Sequence, residues 1–108
     1  MDAAMGELEH PATDELELVE VLQALSDPVR LQIVARLAAD AELACGDFGL
    51  PVGKSTASHH FRVLREAGVV SVRDEGTRRY HSLRRDDLDV RFPGLLDGVL
   101  QSVSALTR

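Results

Sequence analysis

The sequence of 108 residues contains no tryptophan, and aromatic residues make up only 4% of it. Its core must therefore be built mainly from leucine, valine and alanine, a composition that suits packed helices. Long hydrophobic runs are also missing, because no stretch approaches the roughly 20 apolar residues that span a bilayer. Cys45 is the single cysteine, whereas a small secreted domain usually carries paired cysteines. The acidic N-terminus lacks a signal-peptide pattern, so we expect one cytoplasmic domain and no membrane contact.

The charge of the chain is unevenly distributed. The net charge is −6, which is unfavourable for contact with nucleic acid. Residues 1–51 carry a net charge of −9 and residues 86–108 carry −2, whereas residues 52–85 carry +5. An acidic protein with one basic segment can orient itself on a polyanion, because the local field decides the contact. The alternative is an ordinary solvated run of charge, so the charge pattern alone favours nucleic-acid binding only modestly.

Apolar spacing predicts two helices after a short tail. Residues 1–13 are small and acidic, which predicts a disordered tail. Leucines at four- and three-residue spacing predict a helix over residues 14–25. The sequence Ser26-Asp27-Pro28 is a helix-start signal, because an acidic side chain can cap the first amides and proline is tolerated at the first helical position. A second helix is therefore predicted over residues 28–39.

A short helix, a turn and a longer helix are predicted next. Glycines and a proline punctuate residues 40–53, and we predict a short third helix around residues 44–50 followed by a tight turn. The next helix is predicted over residues 54–67 and ends at Gly68, which can adopt a left-handed conformation. One stripe of this helix is apolar and is expected to face the core. It comprises Ala57, Phe61, Leu64 and Ala67.

The hydrophobic period then changes from helical to alternating. Val70 and Val72 alternate with polar residues, and the pattern resumes through Leu83 after a turn at Asp74-Glu75-Gly76, which predicts a β-hairpin. After a break at Phe92-Pro93, a last apolar helix is predicted. The fold class is thus mainly α with a small β-hairpin, a winged helix-turn-helix domain over residues 14–108.

The predicted helix after the turn carries a polar and basic face opposite its apolar stripe. The major groove of DNA admits one helix that presents such side chains to base edges and phosphates. The predicted contacts on this face are Lys54, Ser55, Ser58, His59, Arg62 and Arg65. Those on the hairpin, or wing, are Arg73, Arg78 and Arg79. Solvated surface charge and edge-strand charge are the alternatives, but the order of helix, turn, helix and wing favours DNA.

Two runs of residues resemble a known family. They are Leu25-Ser26-Asp27-Pro28-Val29-Arg30-Leu31 and Ser58-His59-His60-Phe61-Arg62-Val63-Leu64-Arg65-Glu66-Ala67-Gly68-Val69-Val70. Together with the Gly76 turn, they resemble the ArsR/SmtB family of bacterial repressors over about residues 14–106. The resemblance implies a homodimeric winged helix-turn-helix repressor, paired through its first and last helices, that releases operator DNA on binding an effector. It also implies DNA contacts at Lys54, Ser55, Thr56, Ser58 and His59, with Gly53 where many members carry a capping serine.

A homodimer is also predicted from the residues themselves. Both terminal helices are more apolar than a domain of this size can bury within itself. The predicted dimer contacts are Leu18, Leu22, Leu95, Leu96, Val99, Leu100 and Val103. A two-fold dimer places two recognition helices about one helical turn apart on a palindromic site. The expected partners are therefore double-stranded DNA and a second copy of the chain, with an unidentified small-molecule effector as a further possibility.

No metal site or other cofactor is expected. The arsenic-sensing pattern of the family, Glu-Leu-Cys-Val-Cys-Asp-Leu, corresponds here to residues 42–48, in which Ala44 and Gly46 replace both ligands. Zinc-sensing members use Asp and His of the last helix, and no histidine follows residue 85. Cys45 is a possible redox or electrophile sensor if its thiolate is stabilised, but a lone cysteine among apolar residues is more often a small hydrophobe.

The predicted function is a sequence-specific regulator of transcription, a repressor that binds a palindromic operator as a homodimer. No nucleophile–base pair, phosphate-binding loop or pair of carboxylates indicates an enzyme. Two alternatives remain open. One is a metal- or thiol-responsive repressor that uses Cys45, and the other is a winged-helix module that binds a protein partner. The sequence identifies neither the operator nor the effector.

Overall fold

The computed structural model describes residues 9–106. Helix α2 spans Pro28–Ala39, which confirms the predicted second helix at both ends. The side chain of Asp27 caps it, because Oδ1 accepts from the backbone N–H of Val29 at 2.8 Å and of Arg30 at 3.2 Å. Pro28 occupies the first turn, where its missing N–H has no intrahelical partner to lose. The start of α2 is thus fixed by local sequence.

The first predicted helix is wrong at its N-terminal end. Thr13–Glu15 form one turn of 3-10 helix, Leu16 and Glu17 are extended, and α1 spans only Leu18–Leu25. Because the chain is extended at Leu16 and Glu17, the side chain of Leu16 points into the core and is buried. A Cβ placed on Gly68 would lie 2.0 Å from Leu16 Cδ2, so the two residues are in close contact. The predicted helix is therefore shorter at its N-terminal end, where the chain buries Leu16 instead of continuing the helix.

Residues 9–13 contact the domain, whereas the sequence predicts a disordered tail over residues 1–13. His10 Nε2 accepts from the backbone N–H of Val72 at 3.0 Å. The carbonyl of Pro11 accepts from Arg84 at 2.7 Å, and the hydroxyl of Thr13 donates to Asp87. The boundary predicted at residue 14 thus falls within a segment that is hydrogen-bonded to the fold. Residues 1–8 lie outside the described residues.

The predicted short helix at residues 44–50 is also replaced by other structure. Strand β1, Leu43–Ala44, pairs antiparallel with a strand of the wing, and Cys45–Asp47 form one turn of 3-10 helix. Gly49 has a φ of 65°, a conformation that glycine adopts without steric cost and that turns the chain toward the next helix. Pairing with a strand more than 30 residues away overrides the local helical pattern.

Helix α3 and the wing follow the prediction closely. Helix α3 spans Lys54–Glu66, and Gly68 beyond it has a φ of 86°, as predicted for a glycine that ends a helix. Strands β2, Val70–Glu75, and β3, Arg78–Leu83, form the hairpin. The turn is Gly76-Thr77 rather than residues 74–76, because Asp74 and Glu75 still pair with Arg79 and Arg78.

The last two helices complete one core. Helix α4 spans Arg85–Arg91, and helix α5 spans Leu95–Leu106. The three strands lie in the order β1-β3-β2. Buried apolar residues of α1, α2, α3, α4 and α5 form one cluster beneath the sheet, among them Ile33, Val34, Leu64, Leu88 and Leu96. Among the described residues, no helix is long and apolar enough to cross a membrane.

Candidate nucleic-acid interface

The inner face of α3 is held by an aromatic cluster. Phe61 and Leu64 are buried, as the predicted stripe requires. The ring of Phe61 lies 5.1 Å from that of Phe48 and 4.3 Å from the imidazole of His81, centre to centre. Phe48 follows the 3-10 turn and His81 belongs to β3, so this cluster joins α3 to the wing. It fixes which side of α3 points inward.

The outer face of α3 carries most of the predicted contacts, and they are exposed. They are Lys54, Ser55, Thr56, Ser58, His59 and Arg62. Among residues 9–106, no carboxylate forms an ion pair with Lys54 or Arg62, and Arg62 Nη2 lies 3.5 Å from His59 Nδ1. Gly53 begins the helix without a side-chain cap, so the amides of the first turn are free to bind an anion. This face combines unpaired cations with short hydroxyl side chains.

Arg65 differs from the other predicted contacts on α3. Its side chain is only 16% exposed, and Nη2 lies 3.8 Å from Glu66 Oε2. Its Nε is buried without a hydrogen-bond partner. Arg65 therefore lies at the flank of α3 rather than on the outer face with Arg62.

One face of the wing holds two arginines on either side of a tyrosine. Arg73 donates from Nε and Nη2 to the two carboxylate oxygens of Glu42, at 3.0 Å and 2.8 Å, and from Nη1 to Glu75 at 2.6 Å. These hydrogen bonds raise the pKa of Arg73 and lower that of Glu42. The guanidinium carbons of Arg73 and Arg78 lie 4.8 Å and 5.6 Å from the ring centre of Tyr80.

The other wing arginines also pair with carboxylates. Arg78 donates to Asp47 at 3.2 Å, and Arg79 donates to Asp74 at 2.8 Å. Asp47 lies in the 3-10 turn before α3, while Asp74 lies directly across the hairpin from Arg79. All three wing arginines predicted to contact DNA are therefore engaged by acidic residues of the chain itself, and sequence analysis did not identify these acidic partners.

Sequence analysis also did not identify two buried histidines, His60 and His81, that help to hold the site together. His81 is 1% exposed. Burial, together with the charges of Arg79 and Arg65, lowers its pKa to about 4, so it is neutral at physiological pH. His60 of α3 is 8% exposed and contacts Arg30 of α2. The alternation of β3, which sets His81 on the same face as Leu83, was the available signal.

Cys45 lies beside the aromatic cluster of Phe48, Phe61 and His81. Its Sγ is 3.8 Å from Nδ1 of His81. Partial burial raises the pKa of the thiol, and the nearby Arg79 offsets only part of that effect. Among residues 9–106, no group of three or more His, Cys, Asp or Glu side chains is arranged to hold a metal ion.

The predicted dimer residues divide into two groups. Leu18 and Leu22 of α1 are exposed, and four residues of α5 are half-buried, namely Leu95, Val99, Leu100 and Val103. Leu22, Leu95 and Val99 line one apolar groove between α1 and α5. Leu96, the remaining predicted dimer contact, is by contrast 2% exposed and packs in the core of the single chain.

Comparison with known proteins agrees with this architecture. A family model described as a helix-turn-helix domain matches residues 25–73. The uncharacterized HTH-type transcriptional regulator YceK of Bacillus subtilis is 39% identical over 88 residues, covering 79% of this chain and 88% of the relative.

Two solved structures share the fold. The transcriptional repressor BigR of Xylella fastidiosa has a TM-score of 0.61 and 28% identity, covering 82% of this chain and 81% of its own. A homodimeric winged helix-turn-helix DNA-binding domain of Mycobacterium bovis, a possible ArsR-family regulator, has a TM-score of 0.62 and 27% identity, covering 83% and 77%. The chain belongs to the ArsR/SmtB family of winged helix-turn-helix transcriptional regulators, which bind DNA.

Proposed function

We propose that the chain is a repressor that binds a palindromic operator as a homodimer, with the outer face of α3 in the major groove and the wing on the adjacent backbone. The observation that carries this proposal is the outer face of α3. Its cations have no carboxylate partner among the described residues, and its serines, threonine and histidine are exposed beside them. Such a face can bind phosphates and read base edges at the same time.

Salt-dependent binding tests this mode directly. We expect the affinity for operator DNA to fall steeply with salt, because each neutralised phosphate releases a counterion. Arg62→Ala together with Arg78→Ala should weaken binding by at least about tenfold and reduce the slope of log K against log salt by up to about 1.8. Fluorescence anisotropy over a salt series provides the measurement.

The matched control removes two arginines from α4 instead. Arg85→Ala with Arg91→Ala changes the net charge by the same amount, but Arg85 pairs with Asp97 and Arg91 donates to the carbonyl of Leu16. The proposal requires this control to keep the salt slope of the unsubstituted protein. If both double variants lose the same affinity, net charge rather than a defined surface governs binding, and the proposed mode is wrong.

The homodimer is supported by the apolar groove between α1 and α5. A second copy would cover Leu18 and Leu22 together with the half-buried residues of α5, an arrangement in which the same patch is used twice. Leu22→Glu with Val99→Glu should therefore dissociate the dimer in sedimentation equilibrium. Val90→Glu is the control, because Val90 is equally apolar and well exposed but lies on α4. A monomeric unsubstituted protein would contradict the proposal.

A further inference from the structure

We propose that Arg30 and His60 position the recognition helix α3 on the body of the domain, so that discrimination between DNA sequences depends on the contact between these two side chains. The inference rests on the proposed binding of DNA through α3. Neither residue belongs to the outer face of α3. Arg30 lies in the first turn of α2, and His60 lies on the buried side of α3.

The guanidinium of Arg30 joins three helices. Its Nε donates to the carbonyl of Ala24 at 2.6 Å, and its Nη2 reaches the carbonyl of Gln23 at 3.4 Å. Both carbonyls lie in the last turn of α1, where a cation is favourable. The carbonyl of Gln23 also accepts from the backbone N–H of Ser26 at 3.1 Å and from its hydroxyl at 2.7 Å. Nη1 of Arg30 lies 3.0 Å from Nδ1 of His60. One side chain of α2 thus binds the carbonyl of Ala24 at the end of α1 and contacts α3.

The contact has a defined direction on the arginine side. A guanidinium can only donate, so Nδ1 is the nitrogen of His60 that can accept from Arg30. Oδ1 of Asp27, the cap of α2, lies 3.9 Å from the same Nδ1. The side chain of His60 therefore packs against two residues at the start of α2, Asp27 and Arg30. The contact with Arg30 is part-buried, and a hydrogen bond in such a setting is stronger than in water.

This polar contact restrains the rotation of α3 more sharply than apolar packing does. Phe61 and Leu64 set which side of α3 points inward, but burial is non-directional and holds the exact rotation less tightly than a hydrogen bond. A rotation of α3 by about 20° moves the tip of an outer side chain by about 2 Å. Hydrogen bonds to base edges tolerate much less, because their lengths fall within about 2.7 to 3.2 Å. A directional bond on one flank of α3, opposed by the aromatic cluster on the other, fixes the rotation.

The test compares discrimination with stability. Affinities are measured for a duplex that the unsubstituted protein selects from a random-sequence library and for a shuffled duplex of equal length. His60→Leu should lower the ratio of the two affinities by about tenfold or more, because base contacts are lost while phosphate contacts persist. Arg30→Met with His60→Leu removes both partners of the contact, and it also removes the bonds from Arg30 to the carbonyls of Ala24 and Gln23, which costs stability. The double variant should show the same loss of discrimination as His60→Leu.

Rescue and control variants separate positioning from general damage. His60→Asn places an amide oxygen near the position of Nδ1 and should restore most of the ratio. Arg91→Met removes the same charge and a similar bond to a backbone carbonyl, 2.9 Å long, outside the contact between α2 and α3, and it should leave the ratio unchanged. Thermal unfolding is followed for every variant. An unchanged ratio in both His60→Leu and the double variant would overturn the proposal.

A second readout is independent of DNA. In two-dimensional amide NMR spectra, His60→Leu should shift resonances along all of α3, residues 54–66, whereas Arg91→Met should shift only those near α4. Shifts confined to the neighbours of residue 60 would overturn the positioning role even if no duplex is selected. Failure of the unsubstituted protein to discriminate, with shifts along all of α3, would contradict the proposed function but support the positioning of α3.

Discussion

The outer face of α3 and the wing are both basic, but only the cations of the wing are paired with carboxylates. Lys54 and Arg62 of α3 have no carboxylate partner among the described residues. The three arginines of the wing are each paired with an acidic residue of the same chain. A phosphate can approach α3 without displacing anything, whereas at the wing it must replace a carboxylate. The number of cations in a region therefore does not by itself determine the contribution of that region to binding.

The largest effect we expect is a loss of folding stability in acid, caused by His81, the residue of the wing that packs against α3. His81 packs against Phe61 of α3, and its pKa is about 4, below the ordinary 6.5 that applies in the unfolded chain. Between these values the unfolded state binds a proton that the folded state excludes, so stability is complete above pH 6.5 and is lost as the pH falls toward 4. The loss should reach about 3 kcal/mol, as measured by urea unfolding over that range.

His81→Phe provides the control for the effect of acid. Phenylalanine keeps an aromatic ring beside Phe48 and Phe61 but cannot bind a proton. Its free energy of unfolding should change much less between pH 7 and pH 4.5. The same loss in both proteins would assign the acid sensitivity to carboxylates instead.

The unequal contributions can be measured by removing one cation from each region. Arg62→Gln should weaken operator binding by about tenfold and lower the salt slope by about 0.9, because an unpaired cation is lost. Arg79→Gln should cost less than about threefold, because its contact with phosphate is offset by the loss of its pair with Asp74. The affinities are measured by anisotropy over a salt series. Equal losses of affinity in the two variants would mean that the ion pairs of the wing arginines do not reduce their contribution to DNA binding.

Removing the carboxylate that pairs with Arg73 should have a smaller effect, and it should raise the affinity for operator DNA. Glu42→Gln weakens the two hydrogen bonds from Arg73, so the guanidinium becomes more available to phosphate, and operator affinity should rise by about two- to fivefold. Glu20→Gln makes the same charge change on exposed α1, away from the wing. An equal rise in both variants would indicate long-range charge instead of release of Arg73.

The smallest effect is expected at Cys45, which lies in the turn between β1 and α3. Cys45 is exposed at the surface, but partial desolvation raises the pKa of its thiol, so less thiolate is present near neutral pH than in a free cysteine. Alkylation by iodoacetamide at pH 8 should be slower than that of N-acetylcysteine, and Cys45→Ser should change operator affinity less than about twofold. Faster alkylation, with a loss of DNA binding, would favour the thiol-responsive alternative.

The sequence predicted α2 and α3 well because their signals are local. A cap and a proline start α2, while a glycine with positive φ ends α3. The outer face of α3 followed from helical spacing alone, since the residues opposite Phe61 and Leu64 must point outward. Arg65 and Leu96 were placed less well, because each lies at a boundary where a neighbouring element covers it.

What the sequence alone determined was the order of the elements, the apolar face of each helix and the resemblance to a family of regulators. These depend on patterns within about ten residues, which the chain shows without its tertiary contacts. Only the tertiary structure decided that β1 pairs with β3, that Glu42 binds Arg73 and that Arg30 meets His60. The partners in these contacts lie 30 or more residues apart, and packing of the whole core sets their distance and orientation.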